Sequence, residues 1–330
     1  MSEALAFLFW LLLVVLSSFV LSRQVERLGA ELRFTASLQG IVTALAADAP
    51  EISTGISAMA SGHADLGLGV VIGSNIFNLA ALLGLSVMIA GEIRISGSSF
   101  WLNAAVAIAV TALGAATVWR WISPTAASIA LAFVFVPYIA LVAIRQEHLD
   151  RAPLPRAVVR FLKPVVQGSG EAGVSESNFR RMNLTDYLSL VPSLVTVVIG
   201  SVYLVRLGHP LALHIGIPPR FIGPVILAGL TGIPNAISAV QLARRGRGTS
   251  VMSEALNSNS INVAIGICIS GVFLGVHAAS GATTEALWWL CGATAATLVL
   301  VGVRKRLGRV GACVPILFYL GFLARLTFAR

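Results

Sequence analysis

Within a strongly apolar chain, one pattern of polar residues and helix breakers occurs twice at a constant spacing. The first copy reads Ala46-Ala47-Asp48-Ala49-Pro50-Glu51 and then Gly73-Ser74-Asn75-Ile76-Phe77-Asn78. The second reads Leu230-Thr231-Gly232-Ile233-Pro234-Asn235 and then Asn257-Ser258-Asn259-Ser260-Ile261-Asn262. The pairs Pro50/Pro234, Gly62/Gly246, Ser74/Ser258, Asn75/Asn259 and Asn78/Asn262 all share one offset of 184 positions, with no gap between landmarks. Polar groups and prolines are costly inside a membrane-spanning segment and mark binding sites there. A chain carrying two such copies is expected to fold as two related halves around one polar site.

Of its 330 residues, 57% are hydrophobic and 11% charged, against about 25% charged in a soluble domain. That composition predicts an all-α integral membrane protein. Apolar windows long enough to span a bilayer fall near 4–22, 34–60, 66–90, 100–120, 124–145, 184–206, 217–243, 250–275, 284–303 and 310–328. Ten spans are therefore expected. The first, from Ala4 to Leu21, follows Ser2 and Glu3 instead of a basic stretch, so it reads as a span and not as a signal peptide. The net charge of +9 would suggest nucleic acid in a soluble protein; here its distribution reports topology. Of the 23 Lys and Arg, 18 lie in connections after odd-numbered spans, among them Arg23, Arg27, Arg94, Arg160, Lys163, Arg244, Arg247 and Arg304. The positive-inside rule makes these connections cytoplasmic and puts both termini outside. Five spans (1–145), a cytoplasmic linker (146–183) and five more spans (184–330) follow. Because five is odd, the halves enter from opposite sides, an inverted repeat with its site at the bilayer midplane. Within the linker, Arg156 to Val166 is a candidate basic amphipathic helix for the anionic inner leaflet.

Hard cations take oxygen ligands from carboxylates, amides, hydroxyls and backbone carbonyls. Pro50 and Pro234 each interrupt a span and release carbonyls from helical pairing. Ser74 and Asn78 share a helix face, as do Ser258 and Asn262. Glu51 is an ionisable group deep in a span, which is rare and usually functional. Asn75 and Asn259 lie one position off these faces and are expected to bind neighbouring backbone. Cys268, Cys291 and Cys313 are scattered through apolar sequence and read as packing residues. His63, His209, His214 and His277 fall near outer span ends. Trp119, Trp121, Trp288 and Trp289 read as interface anchors, and Asp186 as a cap or ion-pair partner. No H-E-x-x-H, G-x-S-x-G, P-loop or EF-hand pattern occurs, so an enzyme is not expected.

Pro50-Glu51, Gly69 and Gly73-Ser74-Asn75-Ile76-Phe77-Asn78, with Thr231, Pro234, Ser258, Asn259 and Asn262 in the second copy, resemble the repeats of the cation/calcium exchanger superfamily. The resemblance covers about residues 40–85 and 224–270. It implies the ten-helix exchanger fold and a site for transported Ca²⁺, Na⁺ or H⁺, with no resident cofactor. The implied cation-binding positions are Ala47, Asp48, Glu51, Ser74, Asn78, Thr231, Asn235, Glu254, Ser258 and Asn262. The second-repeat glutamate position is Asn235, and the Thr-Ser pair of the first repeat is Ala47-Asp48. Asp48 and Glu254, where the family pattern has none, are expected to restore carboxylate charge, giving Asp48, Glu51 and Glu254 as metal ligands. Three carboxylates in one cage would retain a proton and favour H⁺ coupling. The implied activity is antiport of Ca²⁺ or a related cation for Na⁺ or H⁺ by alternating access in a cell (inner) membrane. The partners are inorganic cations and the lipid bilayer, with no nucleic acid. The rival reading is a degenerate, non-transporting membrane protein of the same fold, acting as a sensor or assembly partner.

Overall fold

The computed structural model describes residues 3–95, 97–144, 146–151, 155–166, 182–276 and 279–328. Gly168-Ser169-Gly170, Arg180, Arg181 and His277 lie outside them. Among the described residues the regular structure is helical apart from one two-stranded pairing. The first half runs α1 (Glu3–Glu31), α2 (Ala36–Ala47), α3 (Ala49–Ala60), α4 (Ala64–Ala90), β1 (Glu92–Arg94), α5 (Gly97–Val118) and α6 (Pro124–Ala143). Two short helices follow, α7 (Gln146–Arg151) and α8 (Arg156–Val166). The second half runs α9 (Leu184–His214), α10 (Pro219–Thr231), α11 (Ile233–Arg244), α12 (Gly248–Leu274), α13 (Gly281–Arg304), β2 (Arg306–Gly308) and α14 (Arg309–Phe328).

The offset seen in the motifs extends to the architecture. Adding 184 to the bounds of α3 gives those of α11, and adding it to α4 gives α12. Even the irregular turns match: α4 widens to a π-helix over Leu79–Leu85 and α12 over Ala264–Ile269, in each case just past the asparagine of the motif. Such wide turns are uncommon and gather at functional places. The chain reverses after α3 and after α11 at Gly62 and Gly246, with φ of 85° and 73°, a region that glycine enters without penalty.

Among the described residues, eight helices are long and apolar enough to cross a membrane, and α10 with α11 forms a further pair bent by 48°. The window at 34–60 is occupied by α2 and α3, two 12-residue helices that break at Asp48. α4 and α12 are central, with 94% and 78% of their most apolar windows buried, whereas α1 and α6 bury only 22%. The outer helices present Leu5, Leu12, Phe133 and Val136 on the surface, which is how a chain packs when its solvent is lipid. α1 is fastened to α9 through Arg27, whose Nη1 lies 2.8 Å from Asp186 Oδ1. Asp186 also closes a capping box with Asn183 at the start of α9, so it is both cap and ion-pair partner. β1 and β2 pair antiparallel, Ile93 opposite Leu307, and join the two halves at the basic end.

Helix α8 forms where the basic amphipathic segment was expected, and Ser99 Oγ of α5 donates to Pro164 O at 3.3 Å. Trp119, Trp121 and Trp288 cluster with ring centroids 4.6–4.7 Å apart. Trp121 and Trp288 are largely exposed, as interfacial anchors are.

Candidate cation site

The site begins with two breaks of the same shape. Asp48 separates α2 from α3 with φ −81° and ψ −6°, and Gly232 separates α10 from α11 with φ −81° and ψ −5°. Pro50 and Pro234 follow in the first turn of the new helix, where a missing N–H costs nothing and φ is already helical. The proline thus sets the restart of each helix, two residues after the break. Hydroxyls from the outer helices brace the first break: Ser18 Oγ donates to Ala47 O at 3.5 Å and Ser201 Oγ to Pro50 O at 3.4 Å.

Two carboxylates stand at this break, both with no solvent exposure. Asp48 Oδ1 accepts from Asn235 Nδ2 at 2.6 Å, and Glu51 Oε2 accepts from Asn262 Nδ2 at 2.7 Å. Each acid of the first half is therefore held by an amide of the second. Asp48 and Glu51 lie within electrostatic reach of one another. Ser258 stands beside Asp48, and Asn78 beside Glu51. Gly232 has no side chain because a Cβ there would lie 3.0 Å from Glu51 Oε1 and 2.9 Å from the Phe77 ring.

What remains is a set of buried oxygens without hydrogen-bond partners: Asp48 Oδ2, Glu51 Oε1, Thr54 Oγ1, Ser74 Oγ, Asn78 Oδ1, Asn235 Oδ1, Ser258 Oγ and Asn262 Oδ1. Buried polar atoms are nearly always satisfied, and leaving one bare costs about 1–3 kcal/mol. Taking a carboxylate out of water costs several kcal/mol even after relaxation. Among the described residues, no Lys or Arg side chain acts on either acid. Hard oxygens of this kind suit a Ca²⁺ or Na⁺ ion. No group of three or more His, Cys, Asp or Glu is gathered anywhere among the described residues. The donor set is accordingly two carboxylates plus neutral amides and hydroxyls.

Of the ten expected positions, Asp48, Glu51, Asn78, Asn235, Ser258 and Asn262 are linked by these contacts, and Ser74 is a buried hydroxyl one turn before Asn78 on α4. Ala47 brings only its carbonyl, already met by Ser18. Thr231 is buried and turns its hydroxyl back to Leu227 O at 2.8 Å. Glu254 lies on the regular part of α12 with Ser258 and Asn262, yet its carboxyl is set beside Ser238 and not beside Glu51. Asn75 and Asn259 bind each other's backbone, each Nδ2 donating to the other's carbonyl at 3.1 Å, so α4 and α12 cross about a local two-fold. Thr54 was missed in the sequence. It follows Glu51 by three positions on the same helix face, and its partner at the 184 offset is Ser238, a signal that was available.

Fold and site define a helical membrane carrier whose two related halves meet on a shared polar centre. The family described as sodium/calcium exchanger protein matches residues 2–145 and 186–328, and the chain belongs to that family. It is a family of membrane antiporters, not of enzymes. Sodium/calcium exchanger MaX1 of Methanosarcina acetivorans is 27% identical over 143 residues, 43% of this chain and 41% of that protein. The sodium/potassium/calcium exchanger Nckx30C of Drosophila melanogaster is 29% identical over 115 residues, 33% of this chain and 13% of that protein. The matched stretches thus span less than half of these relatives. Among solved structures, the H⁺/Ca²⁺ exchanger CAX superposes with a TM-score of 0.77 over 100% of this chain and 83% of its own, at 17% identity. The sodium-calcium exchanger NCX_Mj superposes with a TM-score of 0.64 over 99% of this chain and 98% of its own, at 20% identity. At such identities the likeness is one of fold.

Proposed function

We propose that the chain is a secondary active antiporter that exchanges Ca²⁺ or a related cation for Na⁺ or H⁺ by alternating access. The carrying observation is the set of partnerless buried oxygens that accompanies the buried pair Asp48 and Glu51. One divalent cation or two monovalent cations neutralise the two carboxylates equally, which lets a single cage trade one for the other. Asp48 and Glu51 are the charged ligands, with Ser74, Asn78, Ser258, Asn262 and Thr54 as neutral ones. Asn235 positions Asp48. The names of the relatives, exchangers of Ca²⁺ with Na⁺, K⁺ or H⁺, support the ion class.

The topology that suits this activity is ten spans in two inverted halves, α2 with α3 and α10 with α11 each counting as one broken span. The basic connections and α8 then face the cytoplasm of a cell (inner) membrane, and the termini lie outside. A non-transporting relic of the fold fits poorly, since its site would be expected to have lost its unpaired oxygens to apolar replacements.

Purified protein in liposomes, loaded with Na⁺ or at a pH step, should take up ⁴⁵Ca²⁺, and Glu51→Gln should abolish that uptake without altering folding. Coupled uptake at the wild-type rate in Glu51→Gln would remove Glu51 from the mechanism.

A further inference from the structure

The serine of each repeat stands between two residues that fix its helix. The residue after it is the asparagine that binds the opposite backbone, Asn75 beyond Ser74 and Asn259 beyond Ser258. In front of the serine the halves differ. Ser74 follows Gly73, where α4 lies so close to α10 that an added Cβ would be 2.2 Å from Pro224 O. The repeat mate of Gly73 is Asn257, and that of Pro224 is Gly40. Asn257 carries a side chain, so α2 cannot approach α12 there as α10 approaches α4. A Cβ added at Gly40 would meet nothing within 4 Å.

A polar cluster holds α12 at this point instead. Tyr138 Oη of α6 lies 2.7 Å from Asn103 Oδ1 of α5 and 3.0 Å from Asn257 Oδ1, sharing its one hydrogen between the two acceptors. Asn103 Nδ2 donates to Ser253 Oγ at 2.9 Å. Ser253 and Asn257 are one turn apart on α12, so the cluster grips two successive turns. Tyr138, Asn103 and Asn257 are all buried, and a satisfied buried network fixes one arrangement of its members. At the 184 offset Asn103 becomes Leu287 and Tyr138 becomes Phe322, both within the apolar core. The half that has the Gly73–Pro224 contact has no such cluster; the half that lacks the contact has one.

We infer that Tyr138 is a positioning residue of the cation site: through Asn257 it sets the rotation of α12 about its own axis, and with it the place of the Ser258 hydroxyl in the cage. This rests on reading the cage as a cation site and deepens that reading. Ser258 Oγ is buried and has no hydrogen-bond partner of its own, so its direction follows from that of its helix. A rotation of about 20° moves an oxygen roughly 4 Å from a helix axis by about 1 Å. Ca²⁺ takes its oxygens within about 2.3–2.6 Å, so a shift of that size removes a ligand. Tyr138 touches no cation itself; it acts two residues away from the oxygen that does.

The test measures equilibrium ⁴⁵Ca²⁺ binding and unfolding in detergent on the full chain, as wild type, Tyr138→Phe, Asn103→Ala, Phe322→Leu, Ser258→Ala and the Tyr138→Phe/Ser258→Ala double variant. Tyr138→Phe removes one oxygen and keeps the ring. It should raise the Kd for Ca²⁺ about three- to tenfold, the scale of a polar contact between membrane helices. Asn103→Ala should shift Kd the same way. Phe322→Leu, at the apolar mate of Tyr138, should lower stability and leave Kd unchanged. Once Ser258→Ala has removed the oxygen that Tyr138 places, adding Tyr138→Phe should change Kd no further. An unchanged Kd in Tyr138→Phe, whatever its stability, overturns the proposal. So does a full shift in the Ser258→Ala background, or an equal shift in Phe322→Leu. A wild type that binds ⁴⁵Ca²⁺ but moves it under neither a Na⁺ nor a pH gradient ends the antiport reading alone; one that binds no ⁴⁵Ca²⁺ ends both.

Discussion

In the first half of the molecule the helix break is Asp48 and the next turn carries Glu51; in the second half the same break is Gly232 and the same turn carries Asn235. Backbone angles at the two breaks agree within a degree, so the difference lies in side chains alone. Charge is concentrated in one half and its amide support in the other: Asp48 with Asn235, Glu51 with Asn262. A shift of one half against the other would therefore disturb both carboxylates together. The difference also has a steric side. Gly232 abuts Glu51, so the second break cannot carry an acid of its own without displacing the first half's glutamate. A symmetric backbone here holds an asymmetric charge.

Removing charge from the first half should have the largest effect. Asp48→Asn and Glu51→Gln should each lower cation affinity by about 3–5 kcal/mol, the scale for breaking a buried charge pair, measured by calorimetric titration with Ca²⁺. A Glu51→Gln/Asn235→Glu double variant that binds as tightly as wild type would show that the charge has no fixed half. Next in size are the supporting amides. Asn235→Ala and Asn262→Ala should weaken binding by about 10–100-fold, as the loss of a ligand's supporting group does. Equal affinity in these variants would mean that the amides merely fill space.

A third contrast is steric: a Cβ at Gly73 of α4 would strike the Pro224 backbone, whereas one at Gly40, the repeat counterpart of Pro224, would meet nothing within 4 Å. Gly73→Ala should cost about 1–3 kcal/mol through overpacking against Pro224, while Gly40→Ala should stay within about 0.5 kcal/mol. Unfolding in detergent decides the point, and a Gly40→Ala penalty as large as that of Gly73→Ala would abolish the distinction between the two glycines. The smallest expected effect is at the crossing of α4 and α12. Asn75→Ala and Asn259→Ala should each cost about 0.6 kcal/mol, typical of a polar contact between membrane helices, and by nearly equal amounts, because the two bonds are related by the local two-fold. Unequal losses in the same unfolding assay would argue against that symmetry.

The constant offset, the prolines, Glu51 and the Ser/Asn faces were legible in the sequence, because a repeated backbone shape needs the same breakers at the same intervals and helical faces follow from spacing. The interruption of window 34–60 was legible for the same reason, since Pro50 has no N–H for helical pairing and suits the first turn of a new helix. The matched π-turns were not legible; nothing in Leu79–Leu85 or Ala264–Ile269 distinguishes them from ordinary apolar helix. The pairing of each acid with an amide of the opposite half joins residues 187 and 211 positions apart, and no local pattern encodes such a contact. Thr54 lay within reach of the repeat argument, whereas the bracing hydroxyls of Ser18 and Ser201 come from helices with no motif at all. Glu254 shows the division most plainly. Its helix and register follow from the sequence, because periodicity is a property of one segment. Its setting beside Ser238, away from Glu51, was decided by tertiary structure, because the position of a side chain between two helices depends on how those helices cross.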